Sequence, residues 1–145
     1  KEGALKLYEE LVAGIDKDTE AFNKVSAAYK LPKNTDEEKA ARSAAIREAN
    51  VGATEVPFET VKLCLEGLKI TETMVGKSNP NAASDLGVAA LNLLSGIRGA
   101  WLNVKINLPG IKDEALKAEF ESGEAMVDEA YVISKRIYEE VLASL

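Results

Sequence analysis

The chain has 145 residues, 46% of them apolar and 29% charged, and carries a net charge of −6. That size suits one domain with a real core, spanning residues 1–145, and the balance of apolar and charged residues excludes a disordered chain. With no His and a single Cys64, ligands for zinc or another transition metal are too few and no intramolecular disulfide can form.

Two partner classes are also excluded: no basic stripe interleaved with aromatics is present to meet nucleic acid, and no apolar run reaches membrane length. The lone cysteine lies in an apolar run, fits a small core residue, and suits a reducing, cytoplasmic setting. Acid–base chemistry falls to carboxylates, Lys or Tyr. The chain does not open with Met and starts inside a helical pattern, which points to a segment upstream of it.

Helical periodicity dominates. A first helix is predicted over residues 1–30, with Ala4, Tyr8, Leu11, Ile15, Asp18, Phe22, Val25 and Tyr29 at alternating three- and four-residue spacings. Asp18 is the one charged residue on that seam. A desolvated carboxylate there is suited to proton transfer, whereas one facing a helix end, an Arg or the rim of the bundle is structural. After the 30–34 loop, Thr35 with Glu38 forms a capping box opening a second helix over 36–50, which pairs an alanine face with a charged one. Lys33, Lys39 and Arg42 cluster at this turn, either to hold an anion or as a solvated face. Pro57 then marks a third helix or a kink in front of Val61, Cys64, Leu65 and Leu68.

The 76–81 loop ends that run, and Asn81 is expected to cap a mostly apolar helix within 78–109. Along it, Asp85, Asn92, Gly96, Gly99 and Asn103 project within about 40° of one direction, and Leu86, Leu91, Leu93, Leu94, Ile97 and Trp101 cover the rest. Such a stripe suits a group that approaches the backbone closely and needs hydrogen bonds, or a tight helix crossing through Gly96 and Gly99. Asp85 and Asn103 are about 27 Å apart on a straight helix, too far for one ring system to touch both. Beyond Leu108-Pro109-Gly110, Asp113 is expected to cap a last long helix carrying Leu116, Phe120, Val127, Ala130, Ile137 and Val141. The expected fold is an all-α bundle of long helices, and helices of this length in so small a domain call for a twin subunit, a homodimer.

Several separated motifs occur in a telling order: Asp16-Lys17-Asp18-Thr19-Glu20-Ala21-Phe22-Asn23, Leu31-Pro32-Lys33, Glu38-Lys39-Ala40-Ala41-Arg42, Asn79-Pro80-Asn81 with Ser84-Asp85 and Val88-Ala89-Ala90, and Asn103-Val104 with Ile106-Asn107-Leu108. Together they resemble the cyclodeaminase/cyclohydrolase family, which includes the C-terminal domain of formiminotransferase-cyclodeaminase and stand-alone methenyltetrahydrofolate cyclohydrolases. The resemblance implies a dimeric all-helical enzyme acting on one-carbon tetrahydrofolates with no cofactor beyond that substrate. It implies Asp18 as proton donor and acceptor. Asn23, Asn79, Asn81, Asp85, Asn103 and Asn107 are implied as substrate contacts, and Lys33 and Arg42 suit a glutamate tail, polyglutamylated or not. The family's Pro-Gly-Gly-Gly loop, normally upstream of the first motif, has no counterpart in these residues. The rival expectation is a non-catalytic helical dimer that keeps the fold and a folate-binding site.

Overall fold

Helix α1 (Glu2–Tyr29) runs antiparallel to α2 (Asp36–Met74), which is followed by α3 (Ala83–Asn107), the short α4 (Glu114–Glu121) and α5 (Gly123–Ser144). The structure is a computed structural model that describes residues 2–145; Lys1, expected in the first helix, lies outside the described residues. Single 3₁₀ turns at Pro80–Ala82 and Leu108–Gly110 bracket α3. The all-α expectation holds among the described residues.

The expected break near residue 50 does not occur: α2 is one helix of 39 residues with Pro57 inside it. Proline has no N–H to give the carbonyl four residues back, which leaves Ala53 O without its helical partner. Asn107 Nδ2, from the end of α3, donates to Ala53 O at 3.1 Å instead. On either side of the proline, Thr54 donates to Asn50 O at 2.7 Å and Thr60 to Val56 O at 3.1 Å. Threonine hydroxyls bonded back in this way bend helices, so the accommodation is spread over two turns.

The core lies between the second half of α2 and helices α3 and α5: Phe58, Val61, Leu65 and Leu68 meet Ala90, Ile97, Trp101 and Val104, with Ile133, Ile137 and Val141 closing the third side. Cys64 is a core residue as expected, and burial pushes its thiol up from the ordinary range. Ser134 donates to Ala90 O at 3.1 Å inside this core, a contact that fixes the register of α5 on α3. Half-exposed ion pairs, Lys69 with Glu129 at 2.7 Å and Arg136 with Glu72 at 2.6 Å, flank the α2–α5 junction; at that exposure they contribute little.

Three local expectations are settled here. Thr35 Oγ1 accepts from Glu38 N at 3.2 Å while Glu38 Oε2 accepts from Thr35 N at 3.3 Å, the anticipated capping box. Asp113 Oδ1 caps as expected, accepting from the N–H groups of Ala115 and Leu116. The helix it opens is interrupted at Ser122, however, and the next residue, Gly123, lies so close to Trp101 that a Cβ there would stand 2.5 Å from Trp101 Cζ3. Asn81 does not cap α3. It donates its own N–H to Asn79 Oδ1 at 3.0 Å in the preceding turn, and α3 starts at Ala83 without a side-chain cap.

α1 departs most from expectation. Its buried residues are Leu7, Ala21 and Ala28, seven-residue steps on which Gly14 also falls. On the anticipated seam, Tyr8, Ile15, Phe22 and Tyr29 instead face outward, Phe22 with 69% of its surface exposed. Close approach to α2, which presents Ala45, Ala49 and Gly52 on this side, selects small residues on α1 and turns the large ones away.

Candidate active site

Asp18 lies between Gly14 and Ala21 on α1, four residues after the glycine and three before the alanine, at the edge of the face that meets α2. Gly14 puts no side chain into the seam, and a Cβ built on it would meet nothing within 4 Å. The gap continues into a cleft of about 370 Å³ where α1 passes the proline segment of α2 and the glycine stripe of α3. Its walls are Leu11, Gly14, Ile15, Asp18 and Thr19 from α1, Val56, Pro57 and Thr60 from α2, and Gly96, Ala100 and Asn103 from α3.

Asp18 and Asn103 are therefore the two expected residues that share one cavity. Asp18 is exposed there, not desolvated as its place on an apolar seam suggested, because the cleft opens to solvent within the single chain. Gly96 contributes open backbone: its nearest neighbour is Cys64 Sγ, 3.5 Å from where a Cβ would stand. Gly99 faces nothing within 4 Å. The tight helix crossing through these two glycines is thus absent among the described residues, and of the polar stripe of α3 only Gly96 and Asn103 line the cleft with α1.

Thr60, Gly14 and Thr19 were not anticipated in the cleft. Both threonine hydroxyls donate to carbonyls of their own helices, Thr19 to Ile15 O at 3.2 Å and Thr60 to Val56 O, so what they offer a ligand is acceptor lone pairs. For Gly14 a signal existed, its seven-residue spacing from Leu7 and Ala21.

The other expected residues lie elsewhere. Asn107, one turn beyond Asn103, spends its amide N–H on Ala53 O. Asn79, Asn81 and Asp85 sit exposed at the start of α3, about 27 Å from Asn103 along the helix. Asn23 is exposed on α1 outside the cleft lining. Arg42 is half-buried at the far end of α1, where Nε and Nη2 donate to Tyr29 O at 3.3 and 3.2 Å and the guanidinium stands 5.5 Å from the Tyr29 ring centre. Lys39 pairs with Asp36 at 3.0 Å, whereas Lys33 has no ion pair among the described residues. A larger groove of about 790 Å³ runs along the other flank of α1, past Lys17, Lys24, Ala45 and Ala49. It contains none of the expected site residues, and its α1 side chains project roughly 60° to 180° away from Asp18. Size alone does not make it the reactive site.

No described group of three His, Cys, Asp or Glu side chains could hold a metal ion, and no described helix is long and apolar enough to cross a membrane.

The cleft of this helical bundle sets a carboxylate and an amide beside helical backbone. Residues 2–125 match the family described as formiminotransferase-cyclodeaminase, and the chain belongs to that family. It is 45% identical over 136 residues to the methenyltetrahydrofolate cyclohydrolase of Methylorubrum extorquens, an overlap of 93% of this chain and 65% of that protein. The formimidoyltransferase-cyclodeaminases of Gallus gallus and Sus scrofa are 39% and 37% identical over 112 and 109 residues, 77% and 75% of this chain but 20% of either protein. The crystal structure of formiminotetrahydrofolate cyclodeaminase from Thermotoga maritima superimposes with a TM-score of 0.72 at 26% identity, covering 97% of this chain and 64% of that one. The chain thus spans less than two thirds of the length of these relatives.

Proposed function

We propose that the protein is a one-carbon tetrahydrofolate enzyme, a methenyltetrahydrofolate cyclohydrolase in the first place, with Asp18 as the group that takes and returns a proton. The observation that carries this reading is the meeting of Asp18 and Asn103 in one cleft of a chain from this family. The 45% identity to a cyclohydrolase puts that reaction ahead. The likeness to a cyclodeaminase structure over nearly the whole chain favours formimidoyltetrahydrofolate cyclodeamination as the second reading.

The chemistry suits what the cleft holds. In the cyclohydrolase direction, water adds to the methenyl carbon between N5 and N10, Asp18 accepts a proton from it, and the tetrahedral adduct collapses as the C–N5 bond breaks and N5 is protonated, giving 10-formyltetrahydrofolate. In the cyclodeaminase direction, N10 adds to the formimino carbon, its proton passes through Asp18 to the departing nitrogen, and ammonia leaves behind the methenyl cation. Both need one relay and a negative charge beside a cationic folate, and one carboxylate serves both needs. The Asn103 amide presents a donor and an acceptor to the pterin ring, and the Thr60 hydroxyl an acceptor.

Lys33 is the cation we assign to the glutamate tail. It follows the end of α1, and Tyr29 is about 16 Å along the helix from Asp18, a span on the scale of an extended pterin and aminobenzoate. Arg42 serves the end of α1 first, and Asp85, Asn79 and Asn81 serve the far end of the bundle. A second copy of the chain is the partner we assign to the outward apolar face of α1.

Replacing Asp18 by Asn in the full-length protein tests the reading. With the fold retained by circular dichroism, turnover of the preferred folate should fall by about 10² to 10⁴. Near wild-type turnover in that variant sinks the role of Asp18. A wild-type protein that binds a folate but converts neither substrate supports the non-catalytic rival.

A further inference from the structure

The geometry points to Asn107 as a positioning residue: its amide ties the last turn of α3 to the proline interruption of α2 and so sets where Asn103 stands in the cleft. This rests on the reading of Asp18 and Asn103 as one site.

Three observations meet at this point. Pro57 removes one donor from α2, which leaves Ala53 O in need of a partner. Asn107 Nδ2 supplies it at 3.1 Å from 54 residues further along the chain, and both residues are half-buried, where an unpaired carbonyl is costly. Asn103 lies one turn before Asn107 on the same helix, and Pro57 and Val56 line the cleft that Asn103 enters. The bond therefore joins one wall of the cleft to another. The end of α3 is anchored in the core by Val104 and Leu108, and the Asn107 bond adds a directional link from that turn to α2 before the 3₁₀ turn at Pro109. Without the tie, apolar packing of Val104 and Leu108 still holds this turn, but the directional bond that sets its register against α2, and with it the place of Asn103, is lost.

The proline makes a clean test available. Pro57→Ala returns an N–H to α2 that can satisfy Ala53 O, so it separates the need for a partner from the need for a tie. Four forms of the full-length protein are compared: wild type, Asn107→Ala, Pro57→Ala, and the double variant. Asn107→Ala alone should lower the unfolding temperature and reduce kcat/KM by roughly ten- to a hundredfold, as small misplacements of a positioned group do. In the Pro57→Ala background the same substitution should cost little thermal stability yet still lower kcat/KM. Recovery of kcat/KM together with stability would show that Asn107 only satisfies a carbonyl and would overturn the positioning role.

Backbone amide exchange over residues 104–108 gives a readout that needs no turnover. It should be several-fold faster in the double variant than in Pro57→Ala alone, and unchanged exchange overturns the inference. If the wild type converts neither folate while exchange quickens as expected, the proposed reaction falls and the tie stands. Asn107→Asp is the control for shape: the carboxylate matches the amide in size but cannot donate, and it should behave as the alanine variant does.

Discussion

Arg42 closes the end of α1 from thirteen residues further along the chain, both Nε and Nη2 donating to Tyr29 O while the guanidinium stacks over the Tyr29 ring. A helix end carries unpaired carbonyls and partial negative charge, so a cation bonded there relieves both. Arg42→Ala is expected to destabilise the fold by about 1 kcal/mol, below the roughly 1.5–3 kcal/mol of hydrogen bonds to charged groups because these bonds are exposed. Thermal unfolding measures it. Lys33→Ala is the contrast: unfolding should be unchanged, but affinity for folate polyglutamates should fall more than for the monoglutamate, with added salt weakening wild-type binding in parallel. Equal losses for both ligands would remove Lys33 from the tail.

Gly14 provides an independent check on the cleft. Glycine in a helix interior is less favourable than alanine by about 0.8–1.0 kcal/mol, and Gly14 and Gly52 both have open space where a Cβ would stand. Alanine at either position is therefore expected to raise stability by roughly that amount. Leucine separates them. Gly14→Leu should fill the cleft beside Asp18 and raise KM severalfold, whereas Gly52→Leu, which faces the larger groove on the other flank, should leave KM alone. Michaelis constants for the two leucine variants decide the matter, and equal values would move the substrate out of this cleft.

Features whose partners lie within one turn could be read from the sequence. The Thr35–Glu38 box and the Asp113 cap depend on residues three positions apart, and a local pattern suffices for them. The continuity of α2 could not be read, because the group that replaces the missing Pro57 N–H arrives from Asn107, and no local pattern reports a donor that far away. For α1, periodicity marked an apolar stripe correctly but not what covers it: α2 selects Leu7, Ala21 and Ala28 by close packing and leaves Phe22 outside. Asp18 and Asn103 could be paired only through the family resemblance, since spacing on two separate helices does not fix their approach. Asn79, Asn81 and Asp85 share motifs with the site but stand at the other end of α3.

The outward face of α1 leads to the last prediction. Ile15, in the cleft wall, and Phe22, two turns further along α1, expose about two thirds of their surface, and Ile106, three residues beyond Asn103 on α3, exposes 77%; exposed apolar surface of this kind marks an interaction face. A second copy laid across α1 and α3 here would bury these residues and roof the cleft that Asp18 now shares with solvent. Burying a large apolar side chain contributes about 1.5–3 kcal/mol, and a two-fold interface uses each residue twice. Phe22→Glu or Ile106→Glu therefore removes that contribution from both subunits and adds a desolvated charge to each. The wild-type full-length protein should sediment as a dimer at micromolar concentration, and either variant as a monomer of unchanged helix content. A wild type that sediments as a stable, folded monomer would leave these residues as plain surface and the cleft open to water. Dimeric variants would move the interface to another face.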